Sequence, residues 1–583
     1  MSVQTLPGTA ADAPTTSRWR SLITQESVAT LIVSVLVGAA VLLPLFTLVV
    51  SSFLVLDPGG FDTAWGFDNY KTLFTDRIIP RAFVNTLLIS TGSTIVATVL
   101  GVSLAWINAR TNCPWRDRLE PYNLIPFFLS PFVGAIAWHN LASPKTGLLN
   151  AWARHYLGIE GYLINVNNIY GVIWVTGIFF TPLVYLFVVG SLRRMDPSLE
   201  DSARTTGAGL VRTTMTVTLP LVAPGILSGA IIVFVTSAGE FGVPFKLSAP
   251  YGWETLTTQI FSKAVGDDAN HYLGATMSMA LGAITAFFIY VQQRYIAPRS
   301  FTTVTGKGFR PNVIDLGRWR WVAFGYNVAF ILVAVVLPIL CLFIVSLHPV
   351  WTAEIIPSDM SFRNYEKTLF FWRPDAIQAA TNGIFNSLIL AFAGASIAMV
   401  LSLVVSHMIH RTKGFGSRVL DFLCVVPIGF PGIVLAMGVL VTYIKTPIYA
   451  TLWILLLGYI TRFFPYGQRN IASVMLAISE ELDQSSRMAG ASWLTTLRRI
   501  TIPLLKPGIF AGWVLLFIIF LRELSISIIL YTSGTETLSV GVYYLTNFEN
   551  EPLTSALSMA QTVMLLICIL IFRRVAGREA LTA

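Results

Sequence analysis

The chain has 583 residues, 54% of them hydrophobic and 12% charged, with a mean hydropathy of +0.68 and a formal net charge of +9. So little charge cannot cover the surface of a soluble protein of this length, which argues against a water-soluble enzyme. The basic residues also do not form a nucleic-acid patch. They sit in short loops between apolar stretches, where they set membrane orientation.

Residues 1–27 are polar, with Arg18 and Arg20 shortly before the first apolar stretch. That stretch is too long for a signal-peptide core and no small-residue cleavage site follows, so 1–27 reads as a disordered cytoplasmic tail before a retained helix. Twelve spans are then expected, each near the roughly 20 residues that cross the hydrocarbon core as a helix. They cover 28–52, 83–108, 121–141, 168–192, 217–247, 272–293, 320–347, 384–409, 417–444, 449–474, 502–531 and 555–573. Backbone groups in lipid must be satisfied within the segment, and no stretch alternates as a barrel strand would. The fold class is therefore an all-α membrane protein.

Loops rich in Lys and Arg alternate with loops poor in them. The basic set includes Arg110, Arg116, Arg204, Arg212, Arg318, Arg418, Arg487, Arg498 and Arg574, while the opposite set carries acids such as Asp68, Asp76, Glu549 and Glu551. This bias predicts that both termini are cytoplasmic. Cys113, Cys341, Cys424 and Cys568 lack paired spacing, and neither a disulfide nor a metal site is expected from them. His407 and His410 have helical spacing but no acid nearby, so a structural role is expected.

The two halves repeat. Phe67-Asp68-Asn69-Tyr70 resembles Phe362-Arg363-Asn364-Tyr365, and Asn85-Thr86-Leu87-Leu88 resembles Asn386-Ser387-Leu388-Ile389. Met277-Ser278-Met279-Ala280 resembles Leu557-Ser558-Met559-Ala560. Each half holds six spans, so the repeat is parallel, with a pseudo-twofold along the membrane normal. The expected units are a first half at 28–293, a basic linker at 294–319 containing Gly306-Lys307-Gly308, a second half at 320–574 and a short tail at 575–583.

Between the fourth and fifth spans of each half lies a matched segment. The first copy runs Asp201-Ser202-Ala203-Arg204-Thr205-Thr206-Gly207-Ala208 and reaches Leu219-Pro220. The second runs Gln484-Ser485-Ser486-Arg487-Met488-Ala489-Gly490-Ala491 and reaches Ile502-Pro503. Gly and Pro are 13 residues apart in both copies (207 to 220, 490 to 503). Acids at or just before the start, Glu200 and Asp201 in one copy and Glu480, Glu481 and Asp483 in the other, suit the first turn of a helix. The Gly suits a left-handed turn that ends that helix, and the Pro suits the first turn of the next span. The product is a short helix–turn–helix that can dock in a partner's groove.

This segment resembles the cytoplasmic coupling loop of permease subunits of binding-protein-dependent ABC importers, in which Glu-Ala-Ala, three residues and Gly-Ala precede a Leu-Pro or Ile-Pro. Asp201-Ser202-Ala203 and Gln484-Ser485-Ser486 stand where the family has Glu-Ala-Ala. With Gly239-Glu240-Phe241-Gly242 and Leu521-Arg522-Glu523-Leu524-Ser525, the chain is most similar to the fused permeases of ferric-iron importers. The resemblance implies coupling roles for Asp201, Ala203, Gly207, Ala208, Pro220, Ser485, Ser486, Gly490, Ala491 and Pro503. It implies two separate ATPase subunits that carry ATP and Mg, a periplasmic or lipid-tethered binding protein, an inner-membrane location and no cofactor on this chain. Thiamine, polyamine, phosphonate and sugar-phosphate permeases look similar, so the substrate stays open. No P-loop and no catalytic cluster is present.

The halves differ outside the loops. The repeat offset is 301 at Asn85/Asn386 and 283 at Gly207/Gly490, so the first half holds 18 extra residues. The stretch Leu141 to Asn168, against a short Lys445-Thr446-Pro447 turn, is where they are expected, on the outer face. Two copies of one ATPase below and one unsymmetrical binding protein above would produce that pattern.

Charges within apolar spans mark function or packing. Glu240 and Glu523 each lie 20 residues after the loop proline, which places both towards the outer end, and Arg522 adjoins Glu523. The two readings are an interhelical Arg522–Glu523 brace and an outer gate or substrate contact. Two carboxylates against one Arg would leave a net negative site suited to a cation. A secondary transporter, the alternative class, would need carboxylates at broken helices near the midplane.

Overall fold

The computed structural model describes residues 25–576 apart from 57–62, 197, 267–268, 293, 295–312, 371–376, 412–414, 477 and 479. The expected amino-terminal tail up to residue 24, most of the linker with Gly306-Lys307-Gly308, and the tail beyond 576 lie outside the described residues.

Each half repeats one order of helices. The first half runs through Gln25–Ser52, Ile79–Arg110, a bent pair, Ile169–Arg194, Leu219–Ala238 and His271–Val291. The second runs through a helix from Arg320 to Ser346, Gln378–Arg411, a second bent pair, Leu452–Met475, Ile502–Leu521 and Glu551–Ala576. Among the described residues, nine helices are long and apolar enough to cross a membrane, and up to eleven spans result if each bent pair is one. The expected tenth span, the helix Leu452–Met475, falls outside that set because it carries Arg462 and Arg469, which lower its apolar character.

The bent pairs are Arg116–Phe128 with Pro131–Ala142, at 97°, and Gly416–Gly429 with Gly432–Tyr443, at 108°. Pro131 and Pro431 stand at the two breaks. Proline has no N–H to continue a helix and forces the preceding residue out of helical conformation. Ser130, before Pro131, is accordingly extended at φ −74°, ψ 124°.

Three further prolines act differently. Pro220, Pro338 and Pro503 follow π-helical turns at Thr214–Thr218, Leu332–Val336 and Leu497–Thr501. A widened turn accommodates a proline ring that would strike the carbonyl four residues back. Pro220 and Pro503 therefore sit near the start of α-helical segments that continue a preceding turn without a break.

The fifth and eleventh spans are shorter than expected. Their helices stop at Ala238 and Leu521, not at 247 and 531. Short helices follow, Gly242–Leu247 and Leu256–Val265 in one half, Ser527–Leu530 and Leu538–Phe548 in the other. The repeated motifs hold this arrangement. Asn85 Nδ2 donates to Glu254 O at 2.8 Å, and Asn386 Nδ2 donates to Glu536 O at 2.8 Å. The next residue in each copy accepts a helix-start N–H: Leu256 N donates to Thr86 Oγ1 at 2.9 Å, and Leu538 N donates to Ser387 Oγ at 2.7 Å. The Phe-x-Asn-Tyr repeat is equally functional in packing. Asn69 and Asn364 donate to the carbonyls of Leu54 and Ser346, while the Tyr70 and Tyr365 hydroxyls lie 2.7 Å from Ser52 and Ser346.

The halves interlock through their first helices. Val37, Val41 and Leu48 are buried in one cluster with Leu420, Leu423, Val434 and Leu440 of the second half. Conversely, Asn123 Nδ2 donates to Asn327 Oδ1 at 2.8 Å, and Trp351 Nε1 donates to Thr146 O at 2.9 Å. The 18-residue excess falls where expected. Between the bent pair and the following helix lie 26 residues in the first half, 143–168, and eight in the second, 444–451. The longer stretch contains the helix Leu148–Leu157, and buried Asn150 ties it down through Ser143 O and Ile164 O.

Candidate functional site

Two places carry the candidate residues. The first is the pair of loops before the fifth helix of each half. The helix Ser198–Thr205 ends at Gly207, φ +87°, with Gly207 N donating to Arg204 O at 2.9 Å and Ala208 N to Ala203 O at 3.1 Å. The helix Glu480–Met488 ends at Gly490, φ +83°, with Ala491 N donating to Ser486 O at 3.1 Å. The 6→1 bonds made by Ala208 and Ala491, each after a left-handed glycine, mark the Schellman helix ending. A Cβ at either glycine would meet nothing within 4 Å, so backbone conformation rather than space selects glycine.

Asp201 and Ser485 are exposed on these helices, Ala203, Ala208, Ser486 and Ala491 half-buried. The acid that anchors the first loop is its neighbour, Glu200, which is 2% exposed. It is ion-paired with the fully buried Arg110 and accepts from Thr218 Oγ1 at 2.6 Å. Arg110 is 90 residues away, at the end of the second helix, and sequence spacing gave no sign of the pair. A second clamp sits close by in the chain: Arg193 Nη2 reaches both oxygens of Glu120, at 2.9 and 2.8 Å.

The linker joins the same assembly. Ile314 N donates to Arg110 O at 2.8 Å, Asn112 N to Ile314 O at 3.1 Å, and Leu316 N to Asn112 Oδ1 at 3.1 Å. The Gly317 N–H and then the Asn112 side chain hold the Asp315 carboxyl below its ordinary range. The basic loop at 110–118, the loop around Gly207 and the start of the second half therefore share one face.

The second place is a cavity of about 220 Å³ between the halves, level with the two helix breaks. Its wall includes Ser130 and Pro131, Pro431 and Gly432, and Glu240, Arg462, Arg522 and Glu523. The acids thus lie where the fifth and eleventh helices stop, beside the breaks of the bent pairs. Gly239 and Arg522, each 19 residues after the loop proline, face opposite breaks. A Cβ at Gly239 would come within 2.6 Å of Pro431, whereas Arg522 Nη1 donates to Leu129 O at 2.8 Å. The Arg522 guanidinium also lies 5.2 Å from the centre of the Phe127 ring.

Arg522 and Glu523 do not pair. Among the described residues, no ion pair within 4.0 Å involves either of them. Arg522 turns to a carbonyl at one bend, while Glu523 Oε2 accepts from Ile526 N at 2.9 Å in its own following turn. Glu240 Oε1 does the same with Gly242 N at 3.1 Å. Arg462 was missed as a site residue, although a charge within an expected span was the available signal. It donates to Pro427 O, whose helical partner four residues on is Pro431, which has no N–H to give. Two carboxylates and two guanidiniums line the cavity, so the net negative charge expected from three residues is absent.

The same family model, describing the binding-protein-dependent transport system inner membrane component, matches residues 73–302 and again 398–578. The chain belongs to this family. One copy of the match falls in each half, and the first helix of each half lies outside it. The ferric transport system permease protein FbpB of Actinobacillus pleuropneumoniae is 24% identical over 86% of this chain and 72% of its own length. A putative ferric transport system permease protein, FbpB 1 of Haemophilus influenzae, is 24% identical over 79% of this chain and 72% of its own. A probable ABC transporter permease protein, y4fN of Sinorhizobium fredii, is 23% identical over 82% and 84%. The protein is thus a fused, two-half ABC importer permease, a multi-pass inner-membrane component with a transport role. Broken helices beside carboxylates, the feature expected of a secondary transporter, are present here within an ABC importer permease.

Proposed function

We propose that this permease carries ferric iron inward, driven by two ATPase subunits that dock on the loops around Gly207 and Gly490. The observation that carries the docking role is the pair of Schellman-ended helices at equal distance from their prolines. Asp201, Ala203, Ala208, Ser485, Ser486 and Ala491 form or flank the docking helices, and Pro220 and Pro503 lead each loop into its span. The iron reading draws on the two ferric permease relatives, which align over most of the chain.

In this reading a substrate-binding protein delivers cargo to the outer face, where the 143–168 insertion makes the two halves unlike. The cavity bounded by Glu240, Arg462, Arg522 and Glu523 lies on the pathway. ATP and Mg belong to the partner subunits, this chain holds no cofactor and catalyses no reaction, and both termini face the cytoplasm. Coexpression with the candidate ATPase and binding protein tests the proposal. Copurification and vanadate-sensitive uptake of radiolabelled ferric iron are expected; uptake that survives vanadate overturns the ATP-driven reading, and vanadate-sensitive uptake of another cargo overturns iron.

A further inference from the structure

The cavity is more basic in available donors than its four charges suggest. Glu240 and Glu523 each accept a backbone N–H through one carboxylate oxygen, at 3.1 and 2.9 Å. Glu523 Oε1 also lies 3.5 Å from where a Cβ at Gly432 would sit, against the positive end of the helix Gly432–Tyr443. The arginines have capacity left. A guanidinium carries five N–H donors. Among the described residues, Arg522 uses one on Leu129 O and Arg462 one on Pro427 O. Neither arginine has a counterpart in the first half: Gly239 stands at the place of Arg522 and Phe179 at that of Arg462, by the 283-residue offset. The hydroxyl-bearing Ser130, Tyr466 and Ser525 lie on the same wall.

We propose that this cavity is a site for an oxyanion group, a carboxylate or phosphate borne by the cargo or accompanying a metal ion, held between Arg462 and Arg522. The inference rests on the cavity's place on the substrate pathway. A planar guanidinium matches two oxygens of one oxyanion, and the pairing strengthens in a site removed from bulk water. The two guanidiniums offset the two carboxylates, which leaves no net negative charge to hold a bare trivalent cation. Ferric iron would pass only with its charge offset by anionic ligands, and an anionic cargo would need no metal.

The test uses the complete detergent-solubilised transporter, with citrate and inorganic phosphate as calorimetric probes, and the same complex in proteoliposomes for uptake of ferric citrate. Arg462→Gln should weaken binding of at least one probe by about tenfold or more, with a matching fall in uptake. Arg462→Lys, which keeps the charge but loses the fork, should recover part of the affinity, and it serves as the working variant if Arg462→Gln does not assemble. Glu240→Gln should weaken binding less than Arg462→Gln. The proposal is overturned if the wild type binds neither probe, if Arg462→Gln and Arg522→Gln bind as the wild type does, or if Glu240→Gln causes the larger loss. Absent ferric uptake with Arg462-dependent citrate binding removes the iron reading and leaves the oxyanion site standing.

Discussion

Arg522 donates a 2.8 Å hydrogen bond to the carbonyl of Leu129, across the boundary between the two halves. The bend before Pro131 turns the chain away from helical pairing, and a side chain from the other half supplies a donor there. Arg522→Met keeps much of the side-chain length and removes the donor. Leaving a buried carbonyl unpaired costs about 1–3 kcal/mol, so the purified permease should melt at a lower temperature. An unchanged melting temperature would mean that Leu129 finds another partner.

Gly207 and Gly490 hold left-handed backbone with open space around them. A side chain there strains the backbone by roughly 1–2 kcal/mol without clashing, and more for a β-branched residue. The double variant Gly207→Val, Gly490→Val should therefore still fold as a membrane bundle but lose the ATPase in pull-down, or hydrolyse ATP without uptake. Coupled transport at the wild-type rate would rule out the docking role.

Removing one partner of the buried Arg110–Glu200 pair leaves an uncompensated charge, at a cost of about 3–5 kcal/mol. Glu200→Ala should loosen the first loop more than Asp201→Ala, since Asp201 is exposed. Trypsin cleavage at Arg204 and Arg212, timed by mass spectrometry, should speed up in the first variant and hardly change in the second. Equal rates in both would remove Glu200 as the anchor.

What could be read in the sequence was local. Gly207, Gly490 and their prolines act within one turn of their neighbours, so spacing alone located the helix endings. The Asn85 and Asn386 motifs were visible as a repeat, and their contacts explain why it persists. The helix ends at Ala238 and Leu521 were overrun, because apolar residues continue past them while Glu240 and Glu523 bond to the following turns. Arg462 and Arg110 gained their roles from partners 35 and 90 residues away, a separation no periodicity encodes.

Membrane orientation can be read by thiol labelling. Ser143 would be a poor outer probe, being only 5% exposed. Tyr156→Cys, at a side chain 68% exposed, should react with an impermeant reagent from outside, and Arg318→Cys only from the cytoplasmic side. Three of the four native cysteines are buried, which keeps the background low. The opposite labelling pattern would invert the topology.

Among the described residues, the hydrogen bonds that moor the linker to Arg110 and Asn112 all involve residues 314–316. A cut anywhere in 295–312 would leave them on the second polypeptide, still matched to their acceptors and donors on the first. Severed halves, expressed together, would keep these contacts along with the interlocked first helices, so the fusion serves to keep two subunits in equal number.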